Sequence, residues 1–385
     1  MNFENLRKFV APEFVFGNGS RFLTTHYLNN LQIHNPLIVT DSGVIAAQWP
    51  AQVIDTLKNE GMSYSVFSNL TPNPKDFEIM AGAEVFHEKS CDAIIAIGGG
   101  SSIDCAKGIG IIAANSGCIQ DFEGVDKIPV PCPPLICIPT TAGSAADVSQ
   151  FAIITNTKHQ NKMAIISKLL VPDVSLLDPE VTCSMDSSLT AATGIDTFVH
   201  AIEAFVSNAS SPFTDLHARE AIRLVCENLK KVMENPYNKD YRARMMCATL
   251  LAGLAFSNAS LGAIHAMAHS LGGLRDIPHG LCNAILLPYV VDYNFTAASH
   301  KYRQAGQIMG VDIKGLKDKE SKDAVLFAIR KMLKSVGINQ KLGELGIQKD
   351  DIPKLAKKAI HAPCILTNPC EPELADLEKI YEQAL

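Results

Sequence analysis

Four short apolar runs in the first half of the chain do not alternate between apolar and polar residues: Pro36–Thr40 (PLIVT), Tyr64–Phe67, Ala93–Ile97 (AIIAI) and Leu135–Pro139 (LICIP). A strand with one wet face alternates, whereas a strand covered on both faces reads as a continuous apolar run. Each run ends in a polar or glycine-rich turn, and amphipathic stretches such as Asp76–Lys89 lie between them. This alternation predicts a parallel sheet clothed by helices. After about Val181 helical periodicity takes over, in Ser187–Asn208, Asp215–Met233, Tyr241–Phe256, Gly262–Gly272 and Lys322–Ser335. The expected organisation is an α/β domain over residues 1–181 and an all-α domain over 182–385. The Asp178–Pro179 turn and Thr182–Ser188 are read as the hinge.

The 385 residues are 47% hydrophobic, enough to bury a large core, and the net charge is -6. A mildly acidic chain has no broad attraction to nucleic acid or anionic membrane, so the expected partner is a small molecule. The opening MNFENLRKF carries charge early and does not read as a secretory signal. The 11 cysteines are odd in number and form no Cys-x-x-Cys pair. Free thiols in a reducing, cytoplasmic setting are expected. The apolar runs are too short to span a bilayer.

Gly98-Gly99-Gly100-Ser101-Ser102-Ile103-Asp104 follows the strand AIIAI and opens a helical pattern. Glycine lets backbone N–H groups approach a phosphate, and a helix start adds unpaired donors and partial positive charge. Two further strand ends point to the same kind of ligand. Asp41 closes PLIVTD and suits the two ribose hydroxyls, though it also suits a helix cap. Thr140, Thr141 and Ser144 follow LICIP and suit the nicotinamide side, though they equally suit an ordinary turn. Ligands of open α/β sheets collect at the carboxyl ends of strands, where all three candidates sit.

The helical half carries a second chemistry. Asp196 and His200 are one turn apart in TGIDTFVHAIEAFV, His265 and His269 repeat that spacing in GAIHAMAHSLGG, and His279 follows in IPHGLCNAI. A carboxylate and several imidazoles suit a first-row divalent ion. Desolvating so many polar groups among apolar neighbours without a shared purpose is costly. Four of the five suffice as ligands, and spacing does not choose between His265 and His269.

These motifs together resemble the iron-containing alcohol dehydrogenase family, whose fold is shared with glycerol dehydrogenase and dehydroquinate synthase. The resemblance covers nearly the whole chain and is carried by GGGSSIDCAK (Gly98–Lys107), PTTAGS (Pro139–Ser144), ATGIDTFVHAIEAF (Ala192–Phe205) and His265–Ala284. It implies a dehydroquinate synthase-like fold. It implies metal ligation by Asp196, His200, His265 and His279, which leaves His269 as a proton relay. It implies NAD contacts from Asp41, Asn73, Lys162, Thr140, Thr141 and the Gly98–Asp104 turn, with Ser144 beside them. Phe256 and Cys364 become walls of the substrate pocket, with Phe151 a hint that the pocket is apolar. Ser144-Ala145-Ala146-Asp147 departs from the usual Thr-Gly-Ser-Glu, and Phe151 stands where some members are polar, so the resemblance does not fix the substrate.

The activity implied is hydride transfer between a short primary alcohol or its aldehyde and NAD. A divalent metal, Fe2+ by resemblance and Zn2+ by affinity order, assists as a Lewis acid. A homodimer or higher homo-oligomer is implied too. Competing readings are a hydroxyacid–oxoacid transhydrogenase, a dehydroquinate-synthase-like lyase, and a metal- and NAD-binding regulatory protein with little turnover.

Overall fold

The computed structural model describes residues 8–385. They form two compact units, Val10–Met185 and Asp186–Leu385, with Phe9 joining the second.

In the first unit the strands are β1 (Glu13–Phe16), β2 (Pro36–Val39), β3 (Ser65–Phe67), β4 (Ala93–Gly98), β5 (Gly124–Val125), β6 (Leu135–Pro139), β7 (Phe151–Asn156), β8 (Asn161–Ile166) and β9 (Val174–Leu177). Six of them make a parallel sheet in the order β1-β9-β6-β4-β2-β3. The helices are α1 (Thr24–Asn30), α2 (Ser42–Ala46), α3 (Trp49–Asn59), α4 (Asp76–Glu88) and α5 (Gly100–Ala114). Alternate residues of each central strand enter different cores. Leu37, Ile94, Ala96 and Cys137 pack with Ile79 of α4 and Ile109 of α5. Ile38, Ile95, Ile97 and Ile138 pack with Leu28 of α1 and with Val53 and Leu57 of α3. Two covered faces explain the unbroken apolar runs.

A smaller sheet, β5-β8-β7, contains an antiparallel β7–β8 hairpin that sequence reading passed over. It is tied to the main layer by Lys107 of α5. This buried ammonium, its pKa lowered by desolvation, donates to the carbonyls of Ser149 (2.7 Å) and Phe151 (2.8 Å).

The second unit is helical, with α6 (Ser187–Val206), α7 (Pro212–Glu234), α8 (Lys239–Ala259), α9 (Ala263–Arg275), α10 (His279–Asn294), α11 (Ser299–Ile308), α12 (Asp318–Ser335), α13 (Ile352–Ala359) and α14 (Leu374–Ala384). Asp186, Ser211 and Asn238 cap α6, α7 and α8 through their side chains. Helix α6 packs against α7, α8 and α10, with Phe198, Val199 and Ile202 buried. Among the described residues no single helix is long and apolar enough to cross a membrane. Helices α8 and α9 reach that length and composition only together, across a 100° bend.

At the edge of the main sheet, Asp178 accepts from the buried Arg21 guanidinium, from Gly19 N (3.0 Å) and from Glu180 N (3.1 Å). Arg21 lies over the Phe22 ring, 4.2 Å from its centroid, and pairs with Glu180 at 3.0 Å. Without Asp178, Arg21 keeps only the partly exposed Glu180 as a partner, and the Gly19 and Glu180 N–H groups lose their acceptor, at a cost of about 1–3 kcal/mol. Asp178→Ala is therefore expected to lower unfolding stability by about that amount in urea titrations. A loss below about 1 kcal/mol, the scale of an exposed pair, would show that the β1 edge does not depend on it.

Candidate metal centre and nucleotide face

Helix α6 carries Asp196 and His200 one turn apart, both buried and on one face. His265 comes from the first turn of α9 and His279 opens α10. Asp196 Oδ1 lies 4.0 Å from His265 Nε2 and 3.8 Å from His279 Nε2, and Asp196 Oδ2 lies 4.0 Å from His200 Nδ1. One potential ligand atom from each of the four falls within 4.8 Å of all the others. Two metal–ligand bonds of about 2.1 Å bridge ligand atoms up to roughly 4.2 Å apart, so the three separations from Asp196 suit a shared ion. His200 Nδ1 is buried and makes no hydrogen bond, which is the cost a cation would remove. Three imidazoles and a carboxylate are the donor set of a divalent transition metal.

The surroundings hold these groups in place. Burial pushes the His265 pKa well below the ordinary histidine value, with His200 adding to the effect and Asp196 opposing it. The ring is therefore neutral near pH 7. The His200 ring is stacked between His265 (4.5 Å between centroids) and Phe256 of α8 (4.4 Å). Two residues that sequence reading did not single out touch the cluster directly. Glu203 of α6 contacts His265 Nδ1 through Oε2 at 2.6 Å and accepts from Ile264 N through Oε1 at 2.7 Å. Burial lifts its carboxyl to about 7, against the pull of the backbone N–H groups of Ile264, Gly262 and His265. Asn283 of α10 donates from Nδ2 to Asp196 Oδ1 (2.6 Å) and lies 3.1 Å from both His265 Nε2 and His279 Nε2. The signal for both was helical spacing: Glu203 is seven residues after Asp196, and Asn283 is four after His279.

His269 lies one turn beyond His265, half-buried, with its ring 5.1 Å from that of His279 and 6.0 Å from that of His265. Cys364 is buried in the short 3₁₀ turn Pro363–Thr367, and Phe256 lies against His200. Phe151 begins β7 and belongs to the other unit.

In the Val10–Met185 unit the nucleotide candidates form one contiguous face. Asp41 does cap α2, with Val44 N donating to Oδ1 (3.0 Å), and its Oδ2 accepts from Ser102 Oγ (2.9 Å). Gly99 caps α5 without a side chain, so the first-turn N–H groups receive no side-chain cap. Cβ atoms at Gly99 and Gly100 would stand 3.2 Å from Thr141 Cγ2 and 2.7 Å from Ser144 Oγ, so the β4–α5 turn and the loop after β6 pack closely together. Thr140 N donates to Gly98 O at 3.0 Å. Asn73 N donates to Ser101 Oγ (3.1 Å), and Lys162 Nζ donates to Asn73 Oδ1 (2.6 Å). Asp104 faces the small sheet instead, where it accepts from the Ile153 backbone. Desolvation lifts its carboxyl to about 7 despite Lys107 and Lys162.

Four converging metal-ligand side chains in a helical unit and a glycine-lined face on a parallel sheet are the marks of a metal- and nucleotide-dependent enzyme. The chain belongs to the iron-containing alcohol dehydrogenase family. The model of "Iron-containing alcohol dehydrogenase" matches residues 11–179, and that of "Fe-containing alcohol dehydrogenase family, C-terminal" matches residues 190–385. The 1,3-propanediol dehydrogenase of Citrobacter freundii is 39% identical over 350 residues, which cover 90% of each protein. The NAD-dependent methanol dehydrogenase of Bacillus methanolicus is 33% identical over 377 residues, covering 98% of this chain and 99% of its own. The crystal structure of a 1,3-propanediol oxidoreductase superposes with a TM-score of 0.96 at 36% identity, covering 99% of this chain and 100% of that one. The architecture is thus the dehydroquinate synthase-like fold expected from the sequence.

Gly280 provides a direct test of how α10 is seated. A Cβ there would lie 2.5 Å from the backbone oxygen of Ala192 on α6. Backbone cannot yield like a side-chain tip, so Gly280→Ala must shift the start of α10 and His279 with it. The expected outcome is a stability loss of about 1–3 kcal/mol together with lowered metal content by elemental analysis. Unchanged metal content would show that His279 does not need that seating.

Proposed function

We propose that the protein transfers hydride between a short primary alcohol, or its aldehyde, and NAD, using one divalent metal held by Asp196, His200, His265 and His279. The observation that carries this reading is the convergence of those four side chains. The NAD-dependent methanol dehydrogenase among its relatives supports the choice of cofactor, and it and the 1,3-propanediol dehydrogenase support short alcohols. When bound, the ion supplies Lewis acidity to the substrate oxygen and the nicotinamide accepts the hydride. Fe2+ is the proposed ion, because the family model is defined by iron. Zn2+ is its competitor, since nitrogen and oxygen sites bind zinc more tightly.

The chain's own residues supply the rest. The Gly98–Ser102 turn and the start of α5 offer N–H groups to a diphosphate. Asp41 accepts from the ribose hydroxyls and repels a 2′-phosphate. Asn73, Thr140, Thr141, Ser144 and Lys162 border the same face. His269, half-buried beside His279, carries the proton between the site and solvent. Phe256, which lies against His200, and Cys364 line the substrate pocket. The enzyme works in the cytoplasm, where its eleven free cysteines stay reduced, and it acts as a homo-oligomer.

The test is anaerobic purification, loading with Fe2+ or Zn2+, and nicotinamide absorbance with a panel of short alcohols and aldehydes. Turnover is expected; none, with metal and NAD both bound, sinks the proposal. His265→Ala is expected to abolish metal retention and activity while NAD still binds, and normal metal content would remove His265 from the ligand set. Asp41→Gly is expected to relax discrimination against NADP, and an unchanged NAD/NADP ratio of kcat/KM would take Asp41 out of the ribose site.

A further inference from the structure

Glu203 is a buried acid with two uses, one for each oxygen. It lies three residues beyond His200 on α6, on the face that carries Asp196 and His200. Oε2 meets His265 Nδ1 at 2.6 Å, and Oε1 accepts the backbone N–H of Ile264 at 2.7 Å. The second contact pins the first turn of α9, whose capping residue Gly262 contributes no side chain. A Cβ at Gly262 would stand 3.0 Å from Glu203 Oε1 and 2.8 Å from Asn368 Oδ1, so glycine is what admits the acid to the helix start.

The tautomer of His265 follows from opposite sides of the ring. Asn283 Nδ2 is only a donor, and its hydrogen bond to Asp196 Oδ1 fixes the orientation of the amide. It lies 3.1 Å from both His265 Nε2 and His279 Nε2 with one N–H left for the two, and, as it accepts nothing, a proton on His265 Nε2 would point at another donor. The proton of the neutral ring is therefore on Nδ1, where Glu203 receives it.

We propose that Glu203 is the positioning residue of the metal centre: its carboxylate holds the proton of His265 on Nδ1 and turns the Nε2 lone pair toward Asp196, His200 and His279. The proposal rests on the reading of those four side chains as ligands. A carboxylate behind a ligating histidine fixes its tautomer and orientation and raises its basicity, and losing one typically lowers metal affinity roughly 10–100-fold.

Glu203→Gln separates this role from packing. It keeps the size of the side chain and an oxygen for Ile264 N–H, but it presents an N–H donor to Nδ1. The full-length protein is stripped with chelator and titrated with Co2+, followed by visible absorption. The ring proton of His265 is located in the metal-free protein by ¹⁵N NMR. The expected result for the variant is Co2+ affinity lower by roughly 10–100-fold, an altered Co2+ spectrum, and the proton moved from Nδ1 to Nε2, with NAD binding retained. Equal affinity and an unmoved proton overturn the proposal. Should that variant not fold, Glu203→Asp keeps the charge but withdraws it by one methylene. Weakened Co2+ binding there supports the proposal, and wild-type affinity overturns it. Failure of the wild-type protein itself to bind Co2+ strikes the metal reading instead.

Discussion

Three imidazoles and a carboxylate bring one potential ligand atom each to within 4.8 Å of the others inside a helical unit, and three helices are arranged about them. Like-natured groups converge in a buried setting only when something shared offsets the lost hydration. Helix α6 spends one face on the convergence, through Asp196, His200 and Glu203. Helices α9 and α10 each begin at it, and each start is seated by a glycine that leaves no room for a Cβ, Gly262 and Gly280. Asn283 and Phe256 close the remaining sides.

Much of this was legible in the sequence, for reasons that can be located. The unbroken apolar runs announced the parallel sheet, because successive residues of each strand go to opposite cores. The β7–β8 hairpin was not read, since both strands are largely apolar and the turn between them lacks glycine and proline. Helix ends were displaced wherever local polar chemistry overrode the period. Helix α6 stops at Val206 rather than Asn208, where Ser207 Oγ donates to Ala259 O (2.6 Å). Helix α12 starts at Asp318 rather than Lys322, because its first turn is polar and Glu320 accepts from Lys317 N (2.8 Å).

The site was legible as residue types and less so as an arrangement. Spacing left His265 and His269 equivalent; in three dimensions His265 joins the converging group, while His269 stands one turn away beside His279. The supporting groups escaped because a lone Glu or Asn on a helix face has many bland explanations. What distinguishes Glu203 is the partner it meets on another helix, more than sixty residues away in sequence.

On the sheet side, the packing of Gly99 and Gly100 against Thr141 and Ser144 has a consequence for how this protein can vary. A side chain at position 100 has no room while the Ser144 hydroxyl stands where it does, and a larger residue at 144 meets the same wall from the other direction. Substitutions at the two positions are therefore non-additive, each altering what the other tolerates. The β4–α5 turn and the loop after β6, far apart in the chain, behave as a single unit of inheritance.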